Sequence, residues 1–325
     1  MTALRLGLLS TAKINLQIIA AVAETDAVEI VGVGSRDAGR ARAYAAEHGI
    51  PRAHGSYADL LADDGIDAVY ISLPNGMHHE WTLAALREGK HVLCEKPYTR
   101  KASEAVEAWD EAEAAGLVLM EAFMYRHHPQ TATIARLVDE GAIGRLRAVK
   151  ATFTFPLHDL SNVRARPELD GGALLDVGTY CVSGARLVAG EPERVLAFQV
   201  TGETGIDMGL YGTMRFADDV VGQFEASFLA PQRQRLEVVG ADAVLVVESP
   251  WRIDLPGQLL LERDGSREIL DVPRANSYQL ELENLAAAIT GKAPQLLGRA
   301  DAIAQARTIE ALYRSAAEGR EVVLD

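Results

Sequence analysis

A lysine at the end of a buried strand can hydrogen-bond a substrate hydroxyl and, when desolvated, exchange a proton. Cys94-Glu95-Lys96-Pro97 puts Lys96 there, directly after the apolar run His91–Cys94. A second chemical signal lies near the start, in Gly7-Leu8-Leu9-Ser10-Thr11-Ala12-Lys13-Ile14. A turn that opens a helix aims free N–H groups and the positive helix end at a pyrophosphate. Gly7 fills the first slot of the common dinucleotide fingerprint, while Ser10 and Ala12 stand in the later glycine slots. Both are small enough for close backbone approach. A third signal is Gly34-Ser35-Arg36-Asp37. An NAD-binding fold usually carries an acid at this strand end, about 20 residues after the glycine turn, for the ribose 2′-OH. Ser35 holds that slot, Arg36 follows it, and Arg40 lies four residues on. A hydroxyl with two guanidinium groups suits a 2′-phosphate, and Asp37 is expected to cap the next helix. The third strand-like run ends in Leu73-Pro74-Asn75, and His78 begins another helix. Asn75 either caps that helix or touches the cofactor.

These residues need a scaffold that delivers strand ends to one place. Apolar runs Leu4–Leu9, Val28–Val33, Ala68–Leu73, His91–Cys94 and Leu117–Met120 alternate with helical patterns at Ile14–Ala23, Ala38–Glu47, Glu80–Arg87 and Ser103–Ala115. Strands alternating with helices predict parallel βαβ units, and continuous apolar strands predict burial on both faces. After about residue 145 the strands alternate polar and apolar, as in Leu146–Phe155, Arg194–Thr201, Gly209–Phe216, Val220–Phe228, Arg235–Val239, Ala243–Glu248 and Gln258–Glu262. That pattern predicts a largely antiparallel sheet with one face packed. Helical patterns at Gly172–Val188, Tyr278–Thr290 and Ala300–Glu318 accompany it. The expected fold is α/β: an N-terminal Rossmann doubly wound parallel sheet over 1–122, and an α+β domain with a large open sheet over 123–325. Val220, Phe224 and Phe228 are expected to form the open sheet face of a homo-oligomer, most simply a dimer.

Composition narrows the function. The net charge of −14 argues against nucleic acid or an anionic membrane as partner. No uncharged stretch reaches the length of a membrane helix, and no leader pattern opens the chain. Two cysteines, Cys94 and Cys181, give no disulfide framework, so a reducing cytoplasm is expected. The adjacent pairs His78/His79 and His127/His128 lack the i, i+4 spacing of a zinc helix, and no metal is expected. No Ser or Cys sits in a G-x-S-x-G elbow. Trp81 and Trp109 are expected to pack in the core.

Three segments in order carry a resemblance: Pro74-Asn75-x-x-His78, Glu95-Lys96-Pro97, and Gly171-Gly172-Ala173-Leu174-Leu175-Asp176-Val177-Gly178-Thr179-Tyr180. Together they resemble the glucose–fructose oxidoreductase, inositol dehydrogenase and MocA family over essentially the whole chain. Glu121-Ala122-Phe123-Met124-Tyr125-Arg126-His127-His128-Pro129-Gln130 is similar to the branch of NADP-dependent D-xylose dehydrogenase and dimeric dihydrodiol dehydrogenase. The resemblance implies that Lys96 is the catalytic lysine, with Asp176 and Tyr180 the acid and the tyrosine of the helix that follows. Spacing of i, i+4 would put the last two on one helix face. Inositol dehydrogenases carry His in place of Tyr180, so the tyrosine points toward sugar and dihydrodiol chemistry.

The expected activity is NADP-dependent hydride transfer at a carbinol or hemiacetal carbon of a sugar-like polyol, with NAD as the alternative cofactor. Gly7, Ser10, Thr11, Ala12, Lys13, Ile14, Ser35, Arg36, Arg40, Leu73, Pro74, Asn75, His78, Glu95 and Lys96 are expected at the cofactor. Arg126 and His128 are expected near the substrate; Arg164 and Arg166 either touch it or lie on the surface. The alternative reaction is reduction of a keto-sugar, free or nucleotide-linked. The alternative from another class is a cofactor-binding sensor without chemistry.

Overall fold

The computed structural model describes residues 3–251 and 258–324. They group into two compact units: Met1–Thr99, Ser103–Met124 and Asn276–Ala302 form one, and Arg100–Ala102, Tyr125–Ala275 and Ile303–Asp325 form the other. The chain therefore crosses between units several times, where the sequence suggested one boundary near residue 122.

In the first unit, strands β1 (Leu4–Leu8), β2 (Val28–Gly34), β3 (Arg52–His54), β4 (Ala68–Ile71), β5 (His91–Glu95) and β6 (Leu119–Ala122) make a six-stranded sheet. Helices α1 (Asn15–Val22), α2 (Ala38–His48), α3 (Tyr57–Leu61), α4 (His78–Arg87) and α5 (Ala102–Ala115) fill the connections. The order is β3-β2-β1-β4-β5-β6 and every pairing is parallel. Leu6, Leu8, Val69, Tyr70, Ile71, Val92 and Leu93 are fully buried, the double-sided burial that their continuous apolar runs required.

The rest of the chain supplies α6 (Pro129–Asp139), β7 (Leu146–Thr154), α7 (Thr179–Ala189), β8 (Arg194–Thr201), β9 (Asp207–Arg215), β10 (Val221–Ser227), β11 (Arg233–Gly240), β12 (Val244–Glu248), β13 (Leu259–Arg263) and β14 (Ser266–Leu270). After them come α8 (Ser277–Ile289), α9 (Arg299–Glu318) and β15 (Val322–Val323). The nine-stranded sheet runs β14-β13-β12-β11-β7-β10-β9-β8-β15. Its pairings are antiparallel except β7 with β10. Helix α8 belongs to the first unit, where it packs on α1 with Leu282 and Leu285 fully buried. Its sequence periodicity announces an apolar face but not which core receives it.

The expected face of the large sheet is corrected. Val220, Phe224 and Phe228 are buried, with β10 packed under α7. On β8, β9 and β10 the apolar side chains left outside are Phe198, Val200, Tyr211 and Val221, and Phe198 pairs directly with Tyr211 across β8 and β9. Alternation fixes that two faces differ; only the covering helix decides which is inner. The adjacent residues Phe228, at 2% exposure, and Leu229, at 57%, give a local test. Phe228→Ala should cost about 3–5 kcal/mol in urea unfolding, and Leu229→Ala within about 0.5 kcal/mol. Equal costs would contradict this inside–outside assignment.

Candidate active site

The order of the parallel sheet reverses between β1 and β4, and ligands of such sheets bind outside the strand ends at this switch. The turn after β1 is held there by a closed polar network. Ser72 Oγ donates to Asn15 Oδ1 at 2.7 Å, so Ser10 is the donor in the 2.7 Å contact between the two serine hydroxyls. Ser10 Oγ in turn accepts the Ala12 N–H at 3.0 Å, and Asn15 Nδ2 donates to the Ser10 carbonyl at 2.8 Å. All three side chains are buried. Ser10 is thus more than a small replacement for glycine, since its hydroxyl fastens the turn to β4. The sequence reading missed Asn15 and Ser72, whose signal was a polar residue within an apolar helix start and an apolar strand end. Gly7 is closely packed: a Cβ there would lie 3.0 Å from both Ile66 Cδ1 and Leu60 Cδ2, so those side chains would have to give way. The Asn15, Leu16 and Gln17 N–H groups of α1 donate back to the Ala12, Lys13 and Ile14 carbonyls, so the turn continues directly into the helix, whose dipole leaves its positive end there.

At the end of β2, Ser35 is buried and its hydroxyl accepts the Asp37 N–H at 3.3 Å. Asp37 caps α2 as expected, its carboxylate accepting the Arg40 N–H at 2.6 Å. Arg36 and Arg40 are exposed, and among the described residues neither guanidinium makes an ion pair. This donor set, with no carboxylate replacing Ser35, fits a 2′-phosphorylated dinucleotide.

Lys96 follows β5, half-buried. Glu95 braces it: one carboxylate oxygen accepts the Tyr70 hydroxyl and the other the Lys96 N–H at 3.3 Å. Glu281 of α8 lies fully buried near Glu95, and burial together with the Glu95 charge holds its carboxyl well above the usual range. No sequence motif pointed to Glu281, because α8 is remote in the chain. His78 is fully enclosed rather than lining the crevice. Its Nδ1 lies 2.8 Å from the Pro97 carbonyl oxygen and its Nε2 2.8 Å from that of Leu73. The ring lies between the two strand-end loops; burial lowers its pKa, and the neutral ring has one N–H to donate to one of these carbonyls. Asn75 does not cap α4, since Met77 holds the cap position; it opens the short turn Asn75–Met77.

In the second unit the expected single helix divides. Leu174–Gly178 is π-helical and α7 follows. Asp176 sits in the wider turn and Tyr180 in the α-helix, so simple i, i+4 alignment does not describe them. Single π turns recur at functional sites. Arg164 donates to Asp176 Oδ2 at 2.7 Å. Gly171 makes room for this loop: a Cβ there would lie 2.4 Å from the Arg164 carbonyl oxygen. Arg166 instead pairs with Glu168. Tyr180 is half-buried among Tyr125, Phe153 and Trp251, with ring centroids 5.6–5.9 Å away. Gly184 admits Trp251, whose ring would stand 2.6 Å from a Cβ. Arg126 reaches Ser183 Oγ at 3.4 Å, which also shares a 2.7 Å hydrogen bond with the Tyr125 hydroxyl. His128, expected at the substrate, caps α6, its Nδ1 accepting the Gln130 N–H. An aromatic surface beside a carboxylate–guanidinium pair can bind the C–H and O–H faces of a polyol.

Known proteins agree with these two halves. Residues 5–123 match the oxidoreductase family with an NAD-binding Rossmann fold, GFO_IDH_MocA, and residues 131–246 match the GFO/IDH/MocA C-terminal domain. The chain is 40% identical over 324 residues to D-xylose 1-dehydrogenase (NADP(+)) 2 of Haloferax volcanii, covering 98% of this chain and 99% of that one. It is 30% identical to trans-1,2-dihydrobenzene-1,2-diol dehydrogenase of Xenopus tropicalis, covering 82% and 81%. A 3-ketoreductase from Actinomadura kijaniata, solved with NADP and TDP-benzene, superposes with a TM-score of 0.91 at 29% identity, covering 96% and 98%.

One buried acid in this region has a pH signature. Burial raises Asp207 from 3.8 to about 6, against the lowering effect of its hydrogen bonds. Protonation is therefore easier in the folded chain than in the unfolded one. The contribution of Asp207 to stability is fullest below about pH 4 and fades as pH rises through 6, by about 3 kcal/mol. Asp207→Asn cannot titrate. Urea unfolding at about pH 4 and about pH 7 should show wild type losing that amount relative to the variant at the higher pH. Parallel pH curves would contradict the raised carboxyl.

Proposed function

The chain belongs to the Gfo/Idh/MocA oxidoreductase family, and we propose that it is an NADP-dependent dehydrogenase of a sugar, oxidising an aldose such as D-xylose at its hemiacetal carbon. The full-length likeness to the Haloferax D-xylose dehydrogenase carries this reading. The turn Gly7–Ile14, Ser35, Arg36 and Arg40 would hold the dinucleotide, with Leu73–Asn75 and Glu95–Lys96 at the neighbouring strand ends. The nicotinamide, when bound, supplies the hydride acceptor. The protein's own residues manage the proton and the orientation. Lys96 and Tyr180 are the proton-handling groups for the reacting hydroxyl, and Asp176, held by Arg164, orients a neighbouring hydroxyl. A reductase of a keto-sugar would use the same groups in reverse; the fold shared with the Actinomadura 3-ketoreductase supports that second reading.

The exposed patch of Phe198, Val200, Tyr211 and Val221 supports a homodimer through the large sheet. Cys94 and Cys181 are free and buried, and no helix among the described residues is long and apolar enough to cross a membrane. The two free, buried cysteines support a reducing cytoplasm as its location.

Lys96→Met and Tyr180→Phe should each lower turnover about 10²–10⁴-fold with cofactor affinity nearly intact. Wild-type turnover in both variants would end the assignment. Arg36→Ala should weaken NADP roughly 10–100-fold and leave NAD little changed, since a charge-assisted bond contributes about 1.5–3 kcal/mol. Comparison of kcat/KM with both cofactors checks this, and an equal loss for both would refute it. Phe198→Glu with Tyr211→Glu should yield monomers by light scattering where the wild type gives dimers. A monomeric wild type would reject the dimer.

A further inference from the structure

Asp207 opens β9 and is 3% exposed, yet no sequence motif contains it. Its Oδ2 accepts the Leu174 N–H at 2.7 Å, and its Oδ1 accepts the Tyr313 hydroxyl at 2.9 Å. Leu174 is the first residue of the π turn that carries Asp176. The carboxylate thus grips the start of that turn where a helix leaves its N–H groups without internal acceptors. Gly172, at φ +134°, keeps the place open, because a Cβ there would lie 2.0 Å from Asp207 Oδ1. Tyr313 comes from α9, and the Arg100 guanidinium stacks on its ring at 4.6 Å. Arg100 also pairs with Asp170 at 3.3 Å, so the charged and titratable groups around Asp207 are Tyr313, Arg100 and Asp170.

We propose that Asp207 is a positioning residue of the sugar site, gripping the Leu174 amide and so fixing how the π turn presents Asp176 and Tyr180. The proposal deepens the sugar-dehydrogenase reading and, for its kinetic arm, rests on it. Asp207 touches no reacting group; it acts through the backbone of the turn. An amide oxygen can accept the same N–H, so Asp207→Asn keeps the grip in weaker form. Asp207→Ala removes it, and Tyr313→Phe removes only the hydroxyl that orients the carboxylate.

Hydrogen exchange read by mass spectrometry tests the grip without any turnover. In Asp207→Ala the segment Leu174–Tyr180 should exchange about tenfold faster, the loss expected for one charge-assisted hydrogen bond, while β7 stays unchanged. Asp207→Asn should recover most of the protection, and Tyr313→Phe should fall between wild type and Asp207→Ala. Should Asp207→Ala not fold, Tyr313→Phe and Asp207→Asn decide the matter by the same segment. In kinetics, Asp207→Ala should lower kcat/KM for the sugar about tenfold, with NADP affinity within about twofold. Unchanged exchange at Leu174–Tyr180, or faster exchange spread equally over β7, would overturn the proposal. A wild type that oxidises no sugar would defeat the functional reading, and the exchange result would still decide the role of Asp207.

Discussion

Parallel strands deliver the same chain end to the same edge, and the chemistry of the first unit follows from that constraint. The register between β1, β2, β4 and β5 brings the residues after Leu8, Gly34, Ile71 and Glu95 to one side of the sheet. Those residues are the Ser10 turn, the Ser35–Arg36 pair, the Asn75 turn and Lys96. Loops at such an edge have main-chain groups that no strand partner satisfies. The protein answers with buried side chains: Ser10, Ser72 and Asn15 at the switch, and His78 between the Leu73 and Pro97 carbonyls. The rigidity of the strand ends comes from these bonds, and the placement of Lys96 inherits it.

The same economy of buried polar contacts governs the second unit. Its sheet covers only one face with helices, and α7 is enclosed on nearly every side. Arg186 inside that helix donates to Glu191 at 2.7 and 2.8 Å and to Gln305 of α9 at 2.7 Å. Gln305 also donates to the Thr179 carbonyl at 2.9 Å. A buried guanidinium with all these partners fixes the helix without leaving an unpaired charge. Asp176 and Tyr180 stand at the start of this locked element, in contact with an arginine and an aromatic wall.

Much of this was legible in the sequence because it depends on local pattern. Alternating strand and helix signals gave the parallel sheet, and Asp37 announced its cap on α2 three residues before its acceptor bond to Arg40. Lys96, Asp176 and Tyr180 could be nominated because their motifs are contiguous. What escaped was set by long-range packing. Glu281 meets the Lys96 strand end only because α8 returns to the first unit, and nothing in the local sequence records that return. The faces of β10 were assigned to the wrong side because alternation is symmetrical until a helix covers one of them. His78 and His128 have residue types suited to chemistry, but the fold uses one as a buried ring between two loops and the other as a helix cap. The π turn at Asp176 interrupts a helical pattern that is continuous in sequence.

The most direct measurement is the initial rate of cofactor reduction, followed by absorbance, with the purified protein, NADP or NAD, and a panel of aldoses, inositols and dihydrodiols. Keto-sugars with NADPH complete the panel. An NADP-dependent sugar dehydrogenase predicts the highest kcat/KM for an aldose with NADP, and a lower value for the same aldose with NAD. No oxidation of any aldose, or a clear preference for NAD, would contradict it.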